Sequence, residues 1–300
     1  MRFRAPVPAD APAVLAVLEA RDRADLGEVE YTLGDLIDEW TISDLDLEQG
    51  ARVVEVAGGP IVAYAALRRP GSFVVVAPDH EGRGIGSRLL EWTEQRDRER
   101  GRDMHRQWVA GANASARALL TGAGYSRARS YARMVRQLEN APQVPDPPPG
   151  FALRAVDPAH DAPGLHAIDA ASFAPTPDYT PESLAEFTQE ELGAHDFKAG
   201  LSRVVTEDGK IVGFLLAGRH PGEDVGWVHI LAVAPEYQGR GLGTAMLYSA
   251  FAAFAEAGLR EARLGVASYN DRGHRFYERA GMAVRYQFDV YERRPGCCSR

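Results

Sequence analysis

The chain has 300 residues, 45% of them hydrophobic and 25% charged, with a formal net charge of −8 at pH 7. That size and balance suit one large globular domain or two ordinary ones, and the acidic surplus argues against a nucleic-acid partner. No apolar run approaches the roughly 20 residues of a membrane span.

In chain order, Met1 to Pro6 reads as a short strand, and Asp10 to Arg23 as a helix with Ala13, Val14, Val17 and Leu18 at helical spacing. A second helix is expected over Thr32 to Trp40. Ala51 to Val56 and Ile61 to Leu67 flank Ala57-Gly58-Gly59-Pro60 and read as a hairpin. Ser72 to Val76 is a further strand, Glu81 to Gly86 a glycine-rich loop, and Ser87 to Arg100 a helix. Met104 to Val109 reads as a strand, and Ser115 to Thr121 as a helix stopped near Gly124. Asn140 to Gly150 then carries five prolines, which favour extended backbone without donors, so it reads as a semi-rigid linker. Asp10 and Glu19 interrupt the apolar stretch after Arg2 and Arg4, which argues against a signal peptide. The only cysteines, Cys297 and Cys298, are adjacent, cannot staple a fold, and fit a cytoplasmic chain without disulfides.

The second half repeats the first. Arg4, Leu15 and Ile61-Val62 recur as Arg154, Leu165 and Ile211-Val212, at an offset of 150. Pro78, Gly84, Asn113 and Gly124 recur as Pro235, Gly241, Asn270 and Gly281, at an offset of 157. The single change of offset places an insertion of seven residues near His220 to Gly226. Duplication gives two domains, 1–139 and 151–300, joined by the linker 140–150.

The most informative stretch lies in the second copy. Val225 to Val233 reads as a β-branched strand, Ala234-Pro235 ends it, and Gln238-Gly-Arg-Gly-Leu-Gly243 leads into a helix over Thr244 to Phe254. A strand, a glycine turn and a helix N-terminus make an anion cradle, because the glycines let N–H groups converge and the helix dipole adds positive charge. Arg240 would add a formal charge and a fork of donors. No Lys-Ser/Thr pair follows the glycines, and their spacing departs from the dinucleotide fingerprint, so the better-known phosphate loops are excluded.

What Gln238, Gly241 and Gly243 do resemble is the acetyl-CoA pyrophosphate loop of the GNAT superfamily of N-acetyltransferases. Asn270, Tyr277, Gly281 and Met282 are similar to that family's second motif, a helix after the fifth strand. The resemblance implies an α/β fold, two tandem domains each with a mixed sheet splayed between its fourth and fifth strands. It implies acetyl-CoA as cosubstrate, bound through Leu231, Ala232, Val233, Gln238, Gly239, Arg240, Gly241, Leu242, Gly243, Thr244, Asn270 and Tyr277. It also implies a backbone oxyanion contact where the fourth strand bulges, carried over to Leu231 to Val233, and direct attack by the acceptor in a ternary complex.

Acyl transfer to an amine further needs a proton acceptor and a donor for the leaving thiolate. Strand alternation puts Trp227, His229, Leu231 and Val233 on one face. His229 is the candidate base, since imidazole titrates near neutrality, and Val228 to Val233 resembles the arylalkylamine branch of the family. Glu223 and Asp224 in the inserted loop are rivals. A core histidine bonded to a neighbour is the plainer alternative. Tyr277, two helical turns after Asn270, is the candidate acid, against a core tyrosine with Asn270 merely capping its helix.

The first half offers Glu81, Ser72 and Leu120 where the second has Gln238, His229 and Tyr277. Chemistry is therefore expected downstream of the linker. The acceptor is expected to be a small-molecule amine or a peptide N-terminus, in a monomer or a homodimer. Its pocket would be walled by Phe173 to Tyr179 with Trp227, beside Asp178, Glu223 and Asp224. The tandem layout also resembles the mycothiol synthases, which acetylate a cysteinyl pseudodisaccharide, although Trp227 departs from their acidic residue on the fourth strand. A non-catalytic acyl-CoA sensor is the alternative from another class, and His229 and Tyr277 argue against it.

Overall fold

The computed structural model describes residues 1–41, 45–68, 71–139, 143–177, 179–220 and 222–294; Asp178, Cys297 and Cys298 lie outside them. The chain forms two compact units, one of Met1–Ala132, Ala267–Tyr269 and Tyr286 onward, the other of Arg133–Val266 and Asn270–Arg285.

Unit 1 runs β1 (Arg2–Arg4), α1 (Ala11–Asp25), α2 (Leu33–Thr41), α3 (Leu47–Gly50), β2 (Ala51–Glu55), β3 (Ile61–Leu67), β4 (Ser72–Val76), α4 (Ile85–Glu99), β5 (His105–Ala110) and α5 (Ala114–Gly122). The expected elements are thus present with ends shifted by one or two residues. A long strand not foreseen, β6 (Ser126–Gln137), follows and contributes its end from Arg133 to unit 2. Unit 2 continues with β7 (Phe151–Ala155), α6 (Pro158–Phe173), α7 (Leu184–Phe187), β8 (Arg203–Glu207), β9 (Lys210–Gly218), β10 (Val225–Val233), α8 (Leu242–Glu256), β11 (Glu261–Ala267) and α9 (Asp271–Arg279). A last unforeseen strand, β12 (Ala283–Arg293), sends its residues from Tyr286 into unit 1. Both unforeseen strands are arginine-rich and largely half-buried or exposed, so neither carries the apolar alternation that marks a strand in sequence.

Strand order in unit 1 is β1-β2-β3-β4-β5-β12, and in unit 2 β7-β8-β9-β10-β11-β6. The hairpins are antiparallel, whereas β4 with β5 and β10 with β11 are parallel, so both sheets are mixed. In unit 1 the alternation of β2 and β3 sends Val53, Tyr64 and Ala66 to the face under α1 and α2. Val54, Ala63 and Ala65 go to the face under Ile85 and Leu89 of α4. In unit 2, α6 and α7 cover one face through Leu165, Ile168 and Phe187. The alanine-rich α8 covers the other, and Gly226 lets it close in: a Cβ there would meet the Phe254 ring at 2.4 Å.

Local devices repeat with the register read from the sequence. Arg4 donates from both Nη atoms to Asp10, at 2.6 and 2.9 Å, and Arg154 does the same to Asp161, both at 2.7 Å. Each carboxylate also accepts a backbone N–H, from Val7 and Asp157 respectively. The clamp ties the first strand of each unit to the helix that follows. The arginine bond is the main cause holding each carboxyl below its usual range. A carboxyl lowered on folding stabilises above its unfolded value of about 3.9, and that contribution is lost as pH falls through the lower native value.

Asp161→Asn should therefore cost stability at neutral pH, about 1 kcal/mol given the half-exposed Arg154, and should blunt the loss of stability below about pH 4. Urea midpoints measured against pH for both proteins would check it; parallel curves would remove the clamp from acid unfolding.

Candidate active site

In unit 2 the cradle is built at the end of β10. Pro235 breaks the strand, and the Gln238 Nε2 donates back to the Val233 carbonyl at 3.1 Å. Gly239 and Gly241 have φ of +80° and +86°, a left-handed region that costs other residues roughly 1–2 kcal/mol each. Gly241 is also the N-cap of α8, and no side chain caps that helix end. The first-turn N–H groups are thus left for a ligand, and Leu242, Gly243 and Thr244 line a cleft of about 440 Å³. Leu231 and Val233 form its floor, with Gln238, Gly239 and Gly241 at the turn.

The opposite wall is α9, which brings Asn270, Arg272, Phe276, Tyr277 and Arg279 to the cleft. Asn270 caps the helix, its Oδ1 accepting from Gly273 N at 2.8 Å, so the capping alternative and the lining of the cleft are both realised in one residue. Arg272 donates to Gln238 Oε1 at 3.0 Å. Burial pushes the half-buried Tyr277 phenol up to about 12, so it is protonated at neutral pH.

Four expected residues are not brought to the cleft wall. The Arg240 guanidinium turns back on its own loop, donating to Glu236 O at 3.1 Å and lying 4.9 Å over the Tyr237 ring. The positive charge facing the cleft comes from Arg272 and Arg279 instead. The Ala232 side chain is buried in the core under α6. Glu223 sits ahead of β10, and from Val225 to Leu231 the strand rises about 20 Å. Its neighbour Asp224 is tied to Arg260 at 2.6 Å.

His229 is the fourth, and it occupies a different feature. Pairing of β10 to β9 shifts between Val228 and Ile230, so His229 is the extra residue of a β-bulge. The bulge overturns the expected alternation: register puts Trp227, Ile230 and Ala232 on the face of Gly218, Leu216 and Phe214, and Leu231 and Val233 on the other. It also lies upstream of the Leu231 to Val233 stretch to which it was assigned. Parallel pairing to β11 ends at Val228 with Leu264, so β10 continues to Val233 paired to β9 only. His229 therefore stands where the two parallel strands part, about 7 Å of strand from Leu231 in the cleft.

The His229 Nε2 lies 2.8 Å from Asp196 Oδ2, whose side chain is 7% exposed. Burial works against the Asp196 charge. The contact with His229, together with nearby His220 and His195, outweighs it and brings the carboxyl down to about 2. Asp196 is pinned by its backbone, since Arg219 N donates to Asp196 O at 2.9 Å and Phe197 bridges Gly218. The pair fits only because residue 218 is glycine: a Cβ there would lie 2.4 Å from His229 Nε2 and 2.6 Å from Asp196 Oδ2. Neither Asp196 nor Gly218 is flagged by any sequence motif.

An Acetyltransferase (GNAT) family model matches residues 17–125 and again 165–282. The chain belongs to the GNAT family of acetyltransferases. The mycothiol acetyltransferase of Thermobispora bispora is 31% identical over 96% of this chain and 97% of its own length, and that of Streptomyces avermitilis 30% over 92% and 89%. A GCN5-related N-acetyltransferase structure from Sphaerobacter thermophilus superposes with a TM-score of 0.81 at 29% identity, covering 98% of this chain and 96% of its own. A tandem GNAT protein from the clavulanic acid pathway has a TM-score of 0.76 at 17% identity, over 99% of both chains, and shares the tandem fold.

Unit 1 of this acetyltransferase keeps the scaffold and fills the seats. Gly82 and Gly84 are left-handed like Gly239 and Gly241. Glu81, however, stands at the place of Gln238 and is held by Arg21 and by Ser115 Oγ at 3.0 Å, with Arg21 also on Asp25 at 2.6 Å. Arg68, at the place of Gly218, pairs with Glu39 and lies 4.4 Å over Phe73. Leu120, at the place of Tyr277, is buried in apolar core, and Ser72 is fully buried.

Since Arg272 faces the cleft and Arg240 its own turn, Arg272→Ala should weaken acyl-CoA binding about tenfold, several times more than Arg240→Ala. Calorimetric titration of both variants decides it; an equal or larger loss at Arg240 would return the charge to the loop.

Proposed function

We propose that the protein transfers an acetyl group from acetyl-CoA to the amine of a small molecule, in a ternary complex formed by its second unit. The observation that carries this reading is the His229–Asp196 pair, seated over Gly218 where β10 parts from β11, in the unit whose glycine cradle is open. The cradle fits a pyrophosphate through left-handed glycines, the uncapped α8 and the two arginines of α9.

In this reading the acceptor nitrogen attacks the thioester carbonyl carbon, a C–N bond forms and the C–S bond breaks. His229 accepts the proton leaving the nitrogen, and Asp196 orients the imidazole and stabilises its cation. Tyr277 donates a proton to the departing sulfur, and solvent returns the proton from His229 to the phenolate. Atoms balance as amine plus thioester giving amide plus free thiol. The Leu231 to Val233 backbone, freed from β11, is the candidate oxyanion donor.

A second reading, acetylation of a mycothiol precursor, is favoured by relatives of about 30% identity that span nearly the whole chain. Against it stands Trp227, buried beside Arg133 and Arg263, where an acidic residue is expected on the fourth strand. Calorimetry with acetyl-CoA should give one site per chain, and a panel of amines including a cysteinyl aminosugar should be followed by thiol release. Tight binding with no turnover on any amine would support a sensor instead.

Gly218→Ala should displace His229 from Asp196 and lower kcat by about 10- to 100-fold while leaving acetyl-CoA affinity nearly unchanged. Tyr277→Phe should likewise lower kcat, by about tenfold or more, through loss of the proton donor. Normal turnover in either variant would strike that residue from the mechanism.

A further inference from the structure

The segment that carries Asp196 is fastened to the end of β9 by backbone bonds. Phe197 bridges Gly218 in the antiparallel sense, with Lys198 N donating to Ala217 O and Arg219 N to Asp196 O, both at 2.9 Å. Counting outward from that bridge sets Asp196 opposite Arg219 and His195 opposite His220. The Lys198 Nζ donates to His195 O at 3.1 Å and holds the same segment.

Directly opposed residues of an antiparallel pair bring their side chains together. Here the two rings lie with centroids 5.4 Å apart and planes at 28°, and His195 Nε2 is 3.3 Å from His220 Nδ1. His220 is 5% exposed and meets the Trp227 ring at 5.9 Å in an edge arrangement, while His195 is half-buried. The pair is therefore packed at one end and within reach of solvent at the other.

The separation of the two nitrogens decides between two readings. An N–H hydrogen bond between the rings would fall at roughly 2.7–3.2 Å. Two imidazoles on one tetrahedral divalent ion, with bonds of about 2.0–2.1 Å, put their nitrogens about 3.3–3.4 Å apart. The observed 3.3 Å matches the second. Imidazole suits zinc, copper and nickel, whereas magnesium and calcium take oxygen ligands. The ionised Asp196, next in sequence to His195, adds negative charge that favours a cation.

We propose that His195 Nε2 and His220 Nδ1 are two ligands of a divalent cation of the zinc class, whose remaining positions are taken by water or a further donor. Bound there, the ion ties the segment of Asp196 to the chain leaving β9 and so steadies the carboxylate that meets His229. Neither ligand lines the glycine-cradle cleft, and the site stands whether or not the acetyl-transfer reading does.

The test uses the full chain carrying Cys297→Ser and Cys298→Ser, so that the two thiols cannot take the metal, after treatment with a chelator. Calorimetry with ZnCl2 should show one ion per chain, and MgCl2 should show no binding. His195→Gln and His220→Gln should each weaken zinc binding about tenfold or more. His160→Gln, at an exposed position of α6, should leave it unchanged. Zinc should shift the imidazole nitrogen resonances of His195 Nε2 and His220 Nδ1. It should also raise the melting temperature by about 2 °C or more, but not in His195→Gln. His220 is buried and its variant can fail to fold, so His195→Gln and the resonances of the otherwise intact pair carry the decision. No zinc binding, or zinc binding that leaves those resonances unmoved and survives His195→Gln, would reduce the pair to a hydrogen bond and overturn the proposal.

Discussion

The organising constraint in unit 2 is that β10 is paired on both edges only as far as Val228. Backbone N–H and C=O groups in a buried sheet are normally all satisfied, so a strand that leaves its parallel neighbour half-way presents an edge that a ligand can complete. The departure coincides with the bulge at His229, which re-aims the strand and turns one side chain out of the alternation. One irregularity thus opens the cleft, frees the backbone of Leu231 to Val233, and sets an imidazole at the fork.

The two units show what the same scaffold does with its seats filled or empty. In unit 1 an arginine and a glutamate, Arg68 and Glu81, stand where unit 2 has Gly218 and Gln238, and each is neutralised by a partner within the unit. Those ion pairs take the places that ligands would take. Both helices after the glycine turns lack a side-chain cap, and unit 2 differs in keeping glycine at the notch and glutamine at the turn, so that no internal ion pair stands over the bare N–H groups. The asymmetry is written in side chains, since the backbone turns at Gly82, Gly84, Gly239 and Gly241 are alike.

Two buried aspartates in unit 2 illustrate how environment assigns roles to one residue type. Asp196 meets an imidazole and is held down at about 2, always ionised and able to steady a cation beside it. Asp169 is driven up to about 6 by burial, which the nearby His166 only partly offsets. At the first the imidazole contacts outweigh burial, and at the second burial outweighs them.

By itself the sequence determined the duplication, much of the element order, the glycine cradle and the Asn270–Tyr277 helix. These are local signals: turns that only glycine tolerates, caps, and hydrophobic periods that are read within a few residues. It also singled out His229, although by an alternation that the bulge breaks. Tertiary structure decided the rest. Whether Arg240 faces the cleft or its own turn depends on side-chain geometry that no spacing encodes. Glu223, close to His229 in sequence, is separated from the cleft by the rise of an extended strand. Asp196 and Gly218 come from two separate segments that only the folded sheet brings beside His229. Arginine-rich β6 and β12 carry no strand signal, because their pairing is supplied by β11 and β5 rather than by their own pattern. Local conformation is a property of short stretches of chain, whereas partnership between charges depends on which stretches the fold makes adjacent.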